Sequence, residues 1–269
     1  DPDADTLWTV EPLLKDEDDM KAYLQLPDAF FAECVDVAPL LAEDQELGDR
    51  GIVMVDTEDP LCAAATLMDP QQFTLVAFTQ PRLFHRLLDK VAPQIYARTR
   101  QVARDFPGRL WRIYGPEYAT EPFLPPRLFG QYVVRYVRPM VRAIQQYGGF
   151  VRLHCHGRIR KVLDQIVSMG VDAIDPIEPP PQGDVQLDFV RREYGQQLVL
   201  FGNIEVADIE TMEPKKFDRV VQQTLQQGTA GAGRGFVLMP SSSPCGRKIT
   251  ARTQQNYQTL VRRTQELAG

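Results

Sequence analysis

Compact apolar segments alternate with longer amphipathic segments along most of this chain. The apolar segments have the length expected of buried parallel strands and begin near residues 52, 110, 150, 173, 198 and 235. Segments with helical spacing lie between them, as in the helix predicted from Pro81 to Phe106. A strand followed by a helix, repeated several times, is typical of a parallel sheet covered by helices, so the pattern predicts an α/β protein.

Local signals indicate where several helices begin. Asp16 is expected to cap a first helix whose first turn is acidic. Residues 30–47 suggest a second helix interrupted near Pro39, and Thr250 could cap the final helix. His85 lies among arginines on the long helix, and we interpret it as a surface or half-buried residue without a catalytic role.

Polar residues follow nearly every predicted strand, and this distribution favours a barrel over an open sheet. The residues at these strand ends are Asp56, Glu117, His154, His156, Asp175, Glu178, Asn203, Glu205 and 241–245. A barrel gathers all of its strand ends around one mouth, whereas an open doubly wound sheet gathers only those beside its switch point. We therefore expect residues 1–269 to form a single (β/α)8 TIM-barrel-like domain, although fewer than eight strands are visible.

Composition narrows the class of protein. The 269 residues are 43% hydrophobic and 25% charged, which suits a soluble protein with a substantial core. The net charge of −6 argues against nucleic acid or an anionic membrane as the main partner. The four cysteines have no framework spacing, and there is neither a signal peptide nor an apolar run of about 18 residues, so we expect a cytoplasmic protein.

The stretch Phe150–Gly157 contains two of the three histidines in the chain. Residues i and i+2 of a strand point to the same face, so His154 and His156 would project side by side, with Arg152 below them. Two neutral imidazoles directed at one point suit a metal such as zinc. The alternative is a pair of hydrogen-bonded, inert histidines at the end of a strand.

Other strand ends offer further candidate ligands and catalytic groups. Glu178 is the first candidate because it ends the strand after the histidine strand, and Cys245 could close a tetrahedral site as a thiolate. The alternative for Cys245 is an ordinary loop cysteine. Asp175 would either point elsewhere or support a histidine ligand by hydrogen bonding. Glu117 could bind substrate or act as an acid or base, or it could cap a helix.

Several of these segments resemble the uroporphyrinogen decarboxylase superfamily. The matching pieces are His-Cys-His-Gly at 154–157, Asp-Ala-Ile-Asp-Pro-Ile-Glu at 172–178, Leu-Phe-Gly-Asn-Ile-Glu at 200–205 and Gly-Phe-Val-Leu-Met-Pro at 235–240. The resemblance covers essentially the whole chain and implies the barrel fold. In that superfamily a first barrel strand and an N-terminal arm precede this region, so we expect the first strand to be missing from this chain.

The superfamily contains two chemistries. Uroporphyrinogen decarboxylases use no metal, and their arginine-rich N-terminal motif and first-strand aspartate are not visible in this chain. Zinc methyltransferases form the other branch and pass methyl groups between a corrinoid protein and a thiol or tetrahydrofolate. Resemblance to their sites, and to the similar barrel of cobalamin-independent methionine synthase, implies zinc on His154, His156, Glu178 and Cys245. His156 stands where the methyltransferases have cysteine, and a site with fewer thiolates donates less electron density.

The resemblance therefore favours a zinc-dependent methyltransferase. Zinc would lower the pKa of an acceptor, which attacks a methyl group from a corrinoid partner or a small methylated substrate. Glu117 and Glu205 would orient substrate or move protons. Substrate contacts are expected from Tyr118, Arg152, Asp175 and Asn203.

Two alternatives remain open from the sequence. A metal-free decarboxylase of a tetrapyrrole would hold the substrate carboxylates with Arg112 and Arg152. A non-catalytic barrel would bind a tetrapyrrole or a corrinoid protein without turnover. The partners expected under the favoured interpretation are a small-molecule methyl donor or acceptor, a corrinoid protein and a second copy of the chain in a homodimer, with no nucleic acid and no membrane.

Overall fold

The predicted alternation of strands and helices is present in the computed structural model, which describes residues 9–243 and 249–268. The strands are β1 (Met54–Glu58), β2 (Leu110–Tyr114), β3 (Phe150–His154), β4 (Ala173–Asp175), β5 (Val199–Ile204) and β6 (Phe236–Pro240). The α-helices are α1 (Glu17–Gln25), α2 (Ala38–Leu47), α3 (Pro60–Ala65), α4 (Pro70–Thr79), α5 (Pro81–Asp105), α6 (Arg135–Gln146), α7 (Leu163–Ser168), α8 (Leu187–Tyr194), α9 (Val206–Thr211), α10 (Pro214–Gly228) and α11 (Ala251–Ala268). The α/β class predicted from the sequence is confirmed.

The described residues divide into two compact units. The N-terminal unit consists of residues 11–155 and 161–172. The C-terminal unit consists of residues 9–10, 156–160, 173–243 and 249–268.

The N-terminal unit contains a parallel arrangement of β1, β2 and β3. Leu110 of β2 lies opposite Met54 of β1 and opposite Phe150 of β3, so β2 is the middle strand. The apolar residues of β2 are buried at Trp111 and Ile113. Helix α5 buries the face that its helical spacing marks as apolar, which consists of Phe84, Leu87, Leu88, Val91, Ala92, Ile95, Val102 and Ala103.

The C-terminal unit contains β4, β5 and β6, which also pair in parallel. Ala173 of β4 lies opposite Val199 of β5, and Leu200 of β5 lies opposite Phe236 of β6. Its core is a cluster made by Ile204, Ile209, Phe217, Val221, Leu225 and Leu260. This cluster joins the end of β5 to α9, α10 and α11, and it therefore fixes the strand ends that carry the polar residues.

Of the three helix starts predicted from local sequence signals, two are found where they were expected. Asp16 Oδ1 accepts hydrogen bonds from the amides of Asp18 and Asp19 at 2.9 Å, and Thr250 Oγ1 accepts from the amide of Thr253 at 3.1 Å. The prediction for residues 30–47 is wrong in detail. Residues 32–37 are not helical and α2 begins at 38, because Pro39 suits the first turn of a helix better than its interior.

None of the helices among the described residues combines the length and the apolar character needed to cross a membrane.

Candidate functional site

A hydrogen-bonded pair of His156 and Glu178 lies in the C-terminal unit. His156 Nδ1 is 2.8 Å from Glu178 Oε1, and the amide of Gly157 donates to Glu178 Oε2 at 2.7 Å. Because a carboxylate only accepts hydrogen bonds, Nδ1 of His156 carries the hydrogen, and in the neutral form of the imidazole Nε2 has the lone pair. The His156 side chain is 35% exposed and that of Glu178 is 9% exposed. The carboxylate therefore fixes the orientation of an imidazole that solvent can reach.

Strands β3 and β4 are shorter than the sequence suggested, and His156 and Glu178 lie beyond their ends. Strand β3 ends at His154, and His156 lies beyond it in the segment before Gly157, whose φ is +81°. The prediction that His156 lies on this strand is therefore wrong, and its bond to Glu178 holds the side chain instead. Glu178 likewise follows the end of β4 by three residues instead of ending that strand.

The backbone before Glu178 is held by contacts with the neighbouring strand. Asn203 Nδ2 donates to the carbonyl oxygen of Ile177 at 3.0 Å. A Cβ atom on Gly202 would lie 2.1 Å from the carbonyl oxygen of Pro176, so only glycine permits this approach. A Cβ atom on Gly183 would lie 2.0 Å from the carbonyl oxygen of Glu178. These close approaches fix the path of the loop that presents the carboxylate. The predicted contact of Asn203 with substrate stays a prediction.

Glu205 follows the end of β5 and is the second carboxylate of this site. Its Oε2 accepts from Ser241 Oγ at 3.2 Å, and Ser241 Oγ in turn accepts from the amide of Val206 at 3.2 Å. Its Oε1 is buried and has no hydrogen-bond partner within the part of the chain that the structure describes. Burial raises the pKa of Glu205 to about 7, the negative charge of Glu178 adds to the shift, and the Ser241 hydrogen bond opposes it. Glu205 can therefore gain or lose a proton near neutral pH.

Ser241 was recognised in the sequence only as one of the polar residues after β6. Its contact with Glu205 depends on the pairing of Ile204 with Pro240, which places the ends of β5 and β6 side by side. The amide of Ser241 donates to the carbonyl oxygen of Ile204 at 2.7 Å, which extends this pairing by one residue. The strand-end position is the sequence signal that indicates such a contact.

The predicted site residues of the N-terminal unit differ in burial and in their hydrogen-bond partners. Arg152 and His154 of β3 are buried, with 7% and 9% exposure. Arg112 of β2 makes two hydrogen bonds to Asp56, at 2.7 and 2.9 Å, so its charge is already balanced. His85 bonds to the Tyr136 hydroxyl through Nδ1 at 3.0 Å and is half-buried.

Glu117 and Tyr118 lie in the turn Pro116–Ala119 after β2. Glu117 Oε2 accepts from the amide of Gly115, the residue before this turn, at 3.1 Å. The ring of Tyr118 packs against the rings of Phe73 and Phe123. The catalytic role of Glu117 and the substrate contacts of Tyr118 stay predictions.

Asp59 is a buried carboxyl group that the sequence did not indicate. It caps α3, with Oδ1 accepting from the amide of Cys62 at 2.6 Å. Burial raises its pKa well above the usual value, and the negative charges of Glu117 and Glu58 contribute to the increase. The Asp-Pro pair at the start of α3 is the signal for the cap, but the depth of burial depends on the packing of the helix.

The predicted zinc site is only partly within the described residues. Cys245 lies outside them, and Asp175 at the end of β4 is completely buried. Within 9–243 and 249–268, no three side chains of His, Cys, Asp or Glu are grouped so that they could hold a metal ion. Both oxygens of Glu178 contact His156 or Gly157, so the carboxylate orients the histidine in this arrangement. The zinc ligands therefore stay a prediction.

Comparison with known proteins identifies the family. The model of the family described as uroporphyrinogen decarboxylase (URO-D) matches residues 8–255. The chain belongs to the uroporphyrinogen decarboxylase family. Among curated proteins, none matches this chain.

Two solved structures are similar to this member of the uroporphyrinogen decarboxylase family. A methyltransferase from Methanosarcina mazei has a TM-score of 0.66 at 15% sequence identity, over 87% of this chain and 65% of that chain. This chain therefore spans 65% of the length of that methyltransferase. A putative fructose-1,6-biphosphate aldolase from Coccidioides immitis has a TM-score of 0.37 at 11% identity, over 91% of this chain and 92% of that chain. The family and the first similarity confirm an α/β, TIM-barrel-like fold.

Proposed function

We propose that this chain is a methyltransferase that moves a methyl group from a corrinoid protein or a small methylated substrate to a thiol or tetrahydrofolate acceptor. The observation that carries the proposal is the hydrogen bond between His156 Nδ1 and Glu178 Oε1. A carboxylate that holds one ring nitrogen of a histidine is the usual support of a histidine that binds a metal through the other nitrogen. The methyltransferase from Methanosarcina mazei supports this class of reaction through its similar fold.

The imidazole and the carboxylate of this pair are donor types that zinc accepts. His156 offers Nε2, and His154, Glu178 and Cys245 are the further candidate ligands from the sequence. Each oxygen of Glu178 accepts one hydrogen bond, from His156 or from Gly157, and keeps a further lone pair with which it could bind the metal. When bound, zinc supplies a positive charge that lowers the pKa of the acceptor and makes it a nucleophile at neutral pH.

Glu205 is proposed to receive or return the proton of the acceptor. Its pKa of about 7 means that both forms of the carboxyl group are present at neutral pH. Ser241 donates to Oε2, so Oε1 is the oxygen that carries the proton in the neutral form.

The proposal is tested by following methyl transfer from methylcobalamin to a thiol, with the purified chain supplied with zinc. We expect methyl transfer by the parent and by the control variant His85→Ala. His85 lies on α5 in the N-terminal unit. We expect loss of turnover in His156→Ala. Equal rates in the two variants would contradict the proposal.

A metal-free decarboxylase is the second candidate, because the family carries that activity in its name. Glu205 could donate a proton to the carbon that loses the carboxyl group. Arg112 is occupied by Asp56, which weakens its predicted role in holding carboxylates. Release of carbon dioxide from uroporphyrinogen, without added metal, would favour this candidate over methyl transfer. Cobalamin binding without either reaction would indicate the non-catalytic alternative.

The corrinoid protein, the homodimer and the cytoplasmic location belong to the same proposal.

A further inference from the structure

The N-terminal unit contains a cavity of about 540 Å³ that none of the predicted roles uses. It lies between α1, the turn Asp28–Phe31, α3, α5 and the ends of β1 and β2. Cavities of roughly 300–1,000 Å³ are typical of sites for small molecules. The chemistry of the walls indicates which class of molecule it suits.

Four aromatic residues line this cavity, namely Tyr23, Phe30, Phe31 and Tyr114. The Tyr23 and Phe31 ring centroids are 5.3 Å apart, and those of Phe30 and Phe31 are 5.4 Å apart. The face of an aromatic ring carries partial negative charge and attracts a cation that is stripped of water. Lys90 Nζ lies 5.5 Å from the Phe31 ring centroid and Arg112 Cζ lies 5.5 Å from that of Tyr114, so these two rings already face a cation of the protein. Tyr23 and Phe30 therefore carry the preference for an added organic cation over a neutral molecule of the same shape.

The charged residues of the same cavity carry an excess of negative charge. Arg98 Nη2 pairs with Glu58 Oε1 at 2.5 Å, and Arg98 Nη1 is 3.3 Å from Glu33 Oε2. Two carboxylates against one guanidinium leave a net negative charge on the lining. The nearby ammonium group of Lys90 pairs with the carboxylate of Asp28 at 2.6 Å, so this pair does not change the net charge of the lining. The charge of Arg98 is already balanced and attracts an anion weakly, whereas the excess negative charge of the lining attracts a cation.

We propose that this cavity binds a small organic cation, with an ammonium group joined to a compact apolar body. Tyr23 and Phe30 contact the ammonium group, and Glu33 supplies the balancing charge because its contact with Arg98 is long and its side chain is 63% exposed. Val91, Ile95 and Leu67 contact the apolar body. This site does not rest on the proposed methyl transfer.

The test is calorimetric titration of the complete chain with choline and with 3,3-dimethylbutan-1-ol, its neutral analogue of the same shape. We expect choline to bind at least about tenfold more tightly than the alcohol. Phe30→Leu and Glu33→Gln should each weaken choline binding by about twofold to thirtyfold. Both positions are largely exposed, so the fold is retained in both variants.

Matched controls lie outside the cavity. Phe78→Leu changes an exposed phenylalanine of α4, and Glu43→Gln changes an exposed glutamate of α2. Both should bind choline as the parent does. Absence of choline binding to the parent, equal binding of the alcohol, or unchanged binding in both cavity variants would overturn the proposal.

Discussion

Glu178 Oε1 accepts the Nδ1 hydrogen of His156 at 2.8 Å across 22 residues of sequence. This bond makes the orientation of the histidine dependent on a loop after a different strand. The amide of Gly157 holds the other oxygen of the same carboxylate at 2.7 Å. The pair is thus fixed from both ends, which is the arrangement that a metal-binding or proton-transferring imidazole needs.

Glu178→Gln should weaken zinc binding by about tenfold to a hundredfold, because the neutral amide supports the histidine less strongly. The measurement is competition for zinc with a chromophoric chelator. Glu193→Gln, at an exposed position of α8, is the matched control and should bind zinc as the parent does. A zinc affinity that is the same in both variants would show that the pair does not support a metal.

Glu205 should make the chain less stable as the pH rises, whereas an ion-paired acid makes a protein more stable as the pH rises. Its pKa rises from 4.5 to about 7 on folding, so its contribution is intact below pH 4.5 and is lost as the pH rises toward 7. Because the group is half-buried, we expect a loss of about 1–2 kcal/mol. Glu205→Gln should remove this loss. Urea unfolding of both chains at pH 5 and pH 8 measures it, and the same pH dependence in parent and variant would disprove the assignment.

Ser241→Ala should move the protonation of Glu205 to higher pH. The Ser241 hydroxyl stabilises the ionised carboxylate and lowers its pKa, so removing the hydroxyl raises that pKa further. The variant also leaves the amide of Val206 without its acceptor, at a cost of about 1 kcal/mol. Carbon-13 NMR of labelled glutamate follows the titration. Ser242→Ala, at the adjacent exposed residue, should leave the titration unchanged.

Gly183→Ala should destabilise the chain by about 1–3 kcal/mol, because the added methyl group would overlap the carbonyl oxygen of Glu178. Displacement of that backbone should also weaken the His156–Glu178 pair and any zinc bound there. Gly231→Ala is the comparison, since a Cβ atom at Gly231 meets no other atom within 4 Å and only its φ of +61° is unfavourable. Urea unfolding and zinc titration of both variants check the prediction, which fails if only Gly231→Ala affects zinc.

The amino-acid sequence determined the elements of this fold and the residues that could carry chemistry. The strands begin close to the expected positions, and Asp16 and Thr250 cap helices as their local sequence indicates. Such features depend on neighbouring residues alone, through hydrophobic spacing and capping hydrogen bonds. The resemblance to the family likewise rested on short sequence motifs.

The tertiary structure decided which of those residues meet. The end of β3 at His154, before His156, was not visible in the apolar pattern, because a strand end depends on its partners as much as on its own residues. Asn203, assigned to substrate, holds the backbone at Ile177. The pairing of β5 with β6 brings Ser241 to Glu205 across 36 residues, and burial beside Glu178 raises the pKa of Glu205. Distance in space and loss of water set these properties, and neither is encoded in local spacing.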